Sequence, residues 1–409
     1  MDNDYEIAVI GAGAAGFFAG TRAAERGKRV VVLEKNRKPG VKILMSGGTR
    51  CNLTQATDRR KIVEAFGRQG PFLHSALAAL GPEELVAVFD AEGVPTKVEA
   101  TGKVFPVSDR AIDVVEALKR MLRRSGAQLQ LEQSVRGIDH NDSGFLIDTV
   151  GEKIYVEKIV LTTGGQSYPD CGTVGDGYGW AKHFGHKIVP PRPALVPLLS
   201  DEKWVQDLRG VTVPDVRVCV VEGEELKAKP QASQRGSFLF THFGLSGPVV
   251  MDVSRAVTAR PSASAWWVVC DFLPNSNEQN ISAILAADGK QTVLSVVAQQ
   301  LPKRLAESLL STSEISLDHR TAELSKKGRQ RLLQSLKRLP IRIRGSQGFK
   351  KAEVTAGGID LREVDSKTMQ SKLCPNLYFA GEVLDLDGPI GGYNFQAAFS
   401  TGWLAGDSI

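Results

Sequence analysis

One short stretch near the start of this chain constrains its fold more than any other. The apolar run Ile7–Ile10 is followed directly by Gly11-Ala12-Gly13-Ala14-Ala15-Gly16. In a dinucleotide turn the first glycine permits a tight bend, the second lets a pyrophosphate approach the backbone, and the third lets the next helix pack closely on the strand. Residues 14–26 have a helical pattern, Gly27 stops it, and residues 30–33 form a second apolar run, so the spacing predicts a βαβ unit. The N-terminus of that helix offers unpaired N–H groups and the positive end of its dipole to phosphates. Glu34 stands 18 residues past Gly16, at the end of the second strand, where a carboxylate accepts hydrogen bonds from ribose hydroxyls. Its charge also repels a 2′-phosphate, which leaves FAD or NAD and disfavours NADP.

The other end of the chain favours the flavin. Leu377-Tyr378-Phe379-Ala380-Gly381-Glu382 is an apolar strand ending in a glycine and an acid, followed by Gly388, Gly391, Gly392 and a helix starting near Asn394. Such a strand brings backbone groups and an acid to the ribityl and phosphate region, and a helix N-terminus facing the flavin stabilises negative charge on it. Two internal segments have the same character. Lys42-Ile43-Leu44-Met45-Ser46-Gly47-Gly48-Thr49-Arg50-Cys51-Asn52 sets a glycine pair beside basic and amide side chains, and Val160-Leu161-Thr162-Thr163-Gly164-Gly165 ends a buried strand in small residues.

Between these segments the pattern changes twice. Helical spacing covers residues 73–80, 82–92 and 109–124, and strand-like runs follow at 128–131 and 158–162. Prolines 190, 191, 193 and 197 mark a crossing. Short β-branched and aromatic runs at 216–221, 237–241 and 266–270 then predict a small antiparallel sheet or barrel, and residues 278–339 read as helical. The chain has 409 residues, enough for two or three domains, and its 42% apolar and 24% charged residues suit a globular protein. No apolar run reaches the roughly 18 residues of a membrane span, and the acidic start differs from a signal peptide, so the expectation is cytoplasmic with no membrane partner. The five cysteines are scattered without a Cys-x-x-Cys, which argues against a disulfide framework or a thiolate metal site.

The motifs GAGAAG, KILMSGGTRCNLT, TTGGQSYPDCGTVGDGYGWAKHFGH, THFGLSGP, EVTAGGID and LYFAGEVLDLDGPIGGYNFQAAFSTGWLAG together resemble the BaiN-like family of three-domain bacterial flavoproteins, over nearly the whole chain. The resemblance implies an α/β fold: a discontinuous glutathione-reductase-type FAD-binding Rossmann domain (1–192 and 353–409), a β-barrel-like insert (193–275 and 340–352) and a helical subdomain (276–339). It implies FAD contacts at Gly11, Gly13, Ala14, Ala15, Gly16, Glu34, Lys35, Lys42, Gly47, Gly48, Arg50, Cys51, Asn52, Val135, Thr163, Gly164, Gly381, Glu382, Gly392, Tyr393 and Asn394. Thr49 and Cys171 depart from the family pattern, which more usually has a third glycine and a threonine there.

Flavoprotein disulfide reductases carry two neighbouring cysteines, and Cys51 has none before Cys171, so a dithiol relay is not expected. No second strand, glycine turn and helix for a pyridine nucleotide is apparent, so NAD(P)H, if it is the transient donor, must reach the flavin without a Rossmann domain of its own, and an external donor or direct oxidation of the substrate is equally open. Flavin carries the hydride chemistry, and the protein orients the substrate and tunes the ring. Tyr168, His242 and Tyr393 are the candidates for proton handling. The expected activity is hydride transfer between FAD and a small organic substrate with an activated C=C bond or an amine-like centre. The alternatives are a tRNA-modifying or RNA-associated flavoprotein and a flavin-binding redox sensor. Residues 326–351 hold ten Lys or Arg and no acid, but an RNA surface also needs aromatic platforms. That block has only Phe349, so it is read as serving the substrate side and not nucleic acid.

Overall fold

All four residues of Ile7–Ile10 are buried, as a central strand of a parallel sheet covered on both faces requires. In the computed structural model, which describes residues 4–141, 143–223, 228–260, 265–286 and 289–409, this strand lies at the centre of five. Val30–Leu33 pairs with it on one side and Lys158–Leu161 on the other, both parallel. Gln128–Gln130 and Leu377–Phe379 form the edges. Alternate residues of each strand enter opposite cores. Ile7, Val9, Val32 and Val160 pack under the helices Ala14–Glu25, Ala111–Ser125 and Tyr393–Asp407. Ala8, Ile10, Val31 and Leu161 pack on the other face with Ile138, Phe145 and Ile154 of a three-stranded antiparallel sheet, Val135–Asn141, Gly144–Thr149 and Lys153–Val156. That small sheet has no counterpart in the sequence reading, because its outward residues are polar and its strands short.

The order of the strands fixes where a ligand belongs. After Ile7–Ile10 the chain adds strands to one side, and it later returns to add Lys158–Leu161 on the other. The carboxyl ends of these two strands flank a topological switch point, the crevice where open α/β sheets bind ligands.

The chain divides into two compact units, residues 1–193 with 353–409, and residues 194–352. The proline-rich strand Ile188–Ala194 runs beside Val354–Ile359 at the end of the first stretch. In the second unit seven strands pair antiparallel in the order Leu339–Ile343, Trp266–Asp271, Thr212–Glu222, Ala232–Thr241, Gly244–Ser246, Leu198–Leu199 and Gly345–Ser346. The two outermost strands are separated in sequence by Arg344 alone, so the sheet must curl until its edges meet, which makes it barrel-like. The helices between Glu278 and Lys337 bury Ile281, Val297, Leu305, Leu309 and Leu332 in the same core as Val218, Phe238 and Val268 of the sheet. They therefore share a core with it, where the sequence pattern had set them apart as a subdomain. Among the described residues no single helix is long and apolar enough to cross a membrane.

Candidate functional site: the switch-point crevice

The three fingerprint glycines have different surroundings. Gly11 has φ +104°, and a Cβ on it would lie 2.7 Å from the Thr162 carbonyl oxygen. A Cβ on Gly16 would lie 1.8 Å from the Gly11 carbonyl oxygen, so helix and strand can approach this closely only over a hydrogen. A Cβ on Gly13 would meet nothing within 4 Å. That open space adjoins the N-terminus of a 12-residue helix with no side-chain cap and no acid in its first turn, a suitable place for a pyrophosphate.

Glu34 is 7% exposed. Its carboxylate accepts from the Ala12 N–H at 2.8 Å and the Asn36 N–H at 2.9 Å. The acid thus ties the second strand to the glycine turn and sits beside the space above it.

The first and last parts of the chain meet at a polar knot. Lys42 Nζ donates to Ser167 Oγ at 2.5 Å and pairs with Glu382, and Ser167 Oγ donates to Glu382 Oε1 at 2.7 Å. The Thr355 N–H donates to the same oxygen at 2.7 Å, and the Thr355 hydroxyl accepts from the N–H groups of Gln166 and Ser167. Sequence reasoning named Lys42 and Glu382 and missed Ser167 and Thr355. Their signal was present in the TTGGQSYP and EVTAGGID motifs, but small hydroxyl residues have no distinctive pattern in one sequence. Asn52, with its amide oriented to satisfy both ends, donates to the carbonyls of Thr54 (3.0 Å) and Val104 (3.2 Å) and accepts from the Gly392 N–H (2.9 Å). Gly392 in turn caps the helix Tyr393–Asp407 with φ +94°. The helix crosses Ala14–Glu25 so closely that a Cβ on Gly402 would lie 2.3 Å from the Ala15 carbonyl oxygen.

Other expected contacts have protein partners. The Arg50 guanidinium lies over the Phe105 ring at 4.0 Å and pairs with Glu99 at 2.7 Å and Asp109 at 3.5 Å, which pushes its pKa up; it fastens the hairpin Thr96–Pro106. Lys35 pairs with Asp176 at 2.5 Å. The Asn394 side chain closes the preceding loop through Gly388 and Pro389. Val135 is half-buried at the start of its strand. Gly47, Gly48, Thr49 and Cys51 all have φ between +56° and +70°, which explains the family preference for glycine at position 49.

Cys51 is fully buried, and burial pushes its thiol up to about 12. Cys171 lies 3.1 Å from Met45 Sδ and is also raised by burial. Tyr168 adopts φ +51°, and burial, then the charges of Glu353 and Cys171, raise its phenol. Tyr393 opens the C-terminal helix and packs on the core. His242 belongs to the second unit, exposed at the hairpin turn between Thr241 and Gly244.

The residues fit the adenine dinucleotide of a flavin. Besides the open space at Gly13, Thr163 Oγ1 is buried with no hydrogen-bond partner among the described residues, at the carboxyl end of strand Lys158–Leu161. An orphan hydroxyl at this position calls for a polar group from a ligand.

Comparison with known proteins agrees with this geometry. A family model described as HI0933-like protein Rossmann domain matches residues 5–408. The chain belongs to this HI0933-like family. A ribosomal RNA dihydrouridine synthase of Escherichia coli strain K12 is 34% identical over 416 residues, covering 99% of this chain and 98% of that protein. A 3-dehydro-bile acid delta(4,6)-reductase of Clostridium scindens is 31% identical over 98% of both chains, in keeping with the BaiN-like motifs. The solved 3-ketosteroid delta1-dehydrogenase of Sterolibacterium denitrificans, in complex with 1,4-androstadiene-3,17-dione, has the same fold, with a TM-score of 0.52 at 14% identity and 99% coverage of both chains. As an HI0933-like protein the chain is a FAD-dependent oxidoreductase with a Rossmann-type α/β fold.

Proposed function

We propose that this chain reduces a carbon–carbon double bond conjugated to a carbonyl. The observation that carries the proposal is that two whole-length relatives, a dihydrouridine synthase and a delta(4,6)-reductase, bear names that describe saturation of such a bond in unrelated ring systems. Bound FAD supplies the hydride, with NADH or NADPH as its proposed donor. The turn 11–16, Glu34, Lys42, Asn52, Thr163, Gly164, Gly381, Glu382 and Gly392 would hold the cofactor in this reading, and the N-terminus of helix Tyr393–Asp407, which has no side-chain cap, would stabilise negative charge on it.

The chain itself must then supply a proton. Hydride arriving at the β-carbon sends negative charge onto the carbonyl, and a proton at the α-carbon completes the reduction. Tyr168 is assigned this role. Its raised pKa keeps the phenol protonated at neutral pH, and its left-handed backbone is the kind of strain that surrounding structure maintains at working sites. The thiols of Cys51 and Cys171, both buried, take no part in the reaction in this reading.

A second reading places the double bond in a uracil ring of RNA. The E. coli relative and a Haemophilus influenzae ribosomal RNA dihydrouridine synthase, both 34% identical over the whole chain, favour it. The test is anaerobic single turnover. The reduced holoenzyme is mixed with a cyclic enone, a uridine-containing RNA or a saturated analogue, while the oxidised enzyme is mixed with an amine panel. Reoxidation by a conjugated substrate, slowed at least tenfold in Tyr168→Phe, is the expected result. Flavin reduction by amines with no reoxidation by any conjugated bond would overturn the proposal, and slow response to every partner would indicate a redox sensor.

A further inference from the structure

The cations of this protein are unevenly divided. Residues 194–352 carry 22 Lys and Arg against 15 Asp and Glu, a net +7, whereas the rest carries 29 against 31, a net −2. The whole positive balance therefore belongs to the second unit, and part of it lies on the outward face of the sheet. Along Leu339–Ile343 and Trp266–Asp271, residues 339, 341, 343, 266, 268 and 270 enter the core, so Arg342 and Trp267 face outward. The register places these two directly opposite each other. Arg217 is on the same outward face of the neighbouring strand, four residues along the ladder from Trp267, opposite Asp271 and Arg235. Arg342 and Arg217 are exposed and form no ion pair among the described residues, whereas Arg235 pairs with Asp215 and Arg344 with Asp201. Trp267 is half-buried, its indole N–H fixed to the Gly223 carbonyl at 3.1 Å.

We propose that this outward face binds a single strand of RNA, with a base stacked on Trp267 and phosphates held by Arg342 and Arg217. The proposal rests on the RNA reading of the site and adds where the strand is gripped. An indole anchored at its N–H is a preorganised platform for an unstacked base, and unpaired guanidiniums on either side suit phosphates. Within the basic block the sequence shows only Phe349. The aromatic group that the block lacks comes instead from a strand some 75 residues earlier, brought beside Arg342 by antiparallel pairing. The nearby Glu202 accepts from the Arg342 backbone N–H and the Trp204 indole, so its carboxylate is already engaged.

The test uses the full-length holoprotein and a fluorescein-labelled RNA of twelve adenylates, which contains no uracil and cannot be reduced. Anisotropy at two salt concentrations should show binding that weakens with salt. Trp267→Ala and the pair Arg342→Gln/Arg217→Gln should each weaken binding roughly tenfold or more, with melting temperature and flavin spectrum unchanged, while Trp267→Phe keeps most of the affinity. Wild-type affinity in these variants, no binding by the wild type, or binding only to vesicles containing phosphatidylglycerol would overturn the assignment. If oligoadenylate binds as expected but uridine in RNA is not reduced, the surface stands and the uracil reading fails. If RNA is reduced while the variants bind normally, the reading stands and the surface fails.

Discussion

Alanine at Gly13 and at Gly16 should have opposite consequences, although the two glycines are three residues apart in one turn. Gly13 has φ −89° and ψ −169°, which any residue adopts, and its Cβ would enter open space. Gly13→Ala should therefore change apoprotein stability by no more than about 1 kcal/mol, the restriction of the unfolded chain roughly offsetting the weaker helix cap. Its methyl group would occupy the space assigned to the pyrophosphate. Losing one charge-assisted N–H bond to a phosphate costs about 1.5–3 kcal/mol, so FAD affinity should fall roughly 10- to 150-fold at 1.4 kcal/mol per decade. Gly16→Ala puts a carbon 1.8 Å from the Gly11 oxygen and 2.7 Å from Thr162 Oγ1, where ordinary contact begins at 3.4 Å. Helix and strand must separate by more than 1 Å, and overpacking of this kind costs ~1–3 kcal/mol or more. Urea unfolding of the apoproteins and FAD titration by flavin fluorescence quenching measure both effects. Wild-type FAD affinity in Gly13→Ala, or a loss of apoprotein stability there equal to that in Gly16→Ala, would refute the assignment of the open space to a phosphate.

Three further outcomes follow from the site and its surroundings. Lys42→Met should destabilise the protein by about 2 kcal/mol, because it leaves the largely buried Glu382 carboxylate without its cation; Lys42→Met/Glu382→Gln should recover part of this, and additive losses in urea unfolding would refute the coupling. His186 is buried, with Nε2 2.7 Å from Ser371 Oγ and Nδ1 3.3 Å from Glu363, and burial pushes its pKa below the ordinary 6.5 despite the neighbouring acid. The unfolded chain therefore binds the proton first, so this contribution to stability is complete above pH 6.5 and is lost as pH falls below it toward the lowered value; His186→Asn should flatten that acid limb of the urea midpoint, and an unchanged limb would count against it. Cys51, with a thiol pushed up to about 12, should resist iodoacetamide at pH 8 in the native protein. Modification of Cys51 as rapid as that of the half-buried Cys219, followed by mass spectrometry, would show that the site opens readily.

The sequence by itself determined the βαβ start, the glycine turn, the acid at position 34 and the return of the chain to the same sheet near residue 377. These are local signals: hydrophobic period, glycine spacing and a charge at a fixed offset all act over a few residues and need no knowledge of the fold. It also marked Lys42 and Glu382, but not that Ser167 and Thr355 join them in one knot, because those contacts link residues separated by 27 to 340 positions. Only the tertiary structure decided that Arg50 is spent on Glu99 and Phe105, that the helices after residue 278 share the sheet's core, and that Trp267 stands beside Arg342. Each depends on which strands pair and in what register. A one-residue slip in register would turn Trp267 into the core, and neither strand's own sequence records its partner.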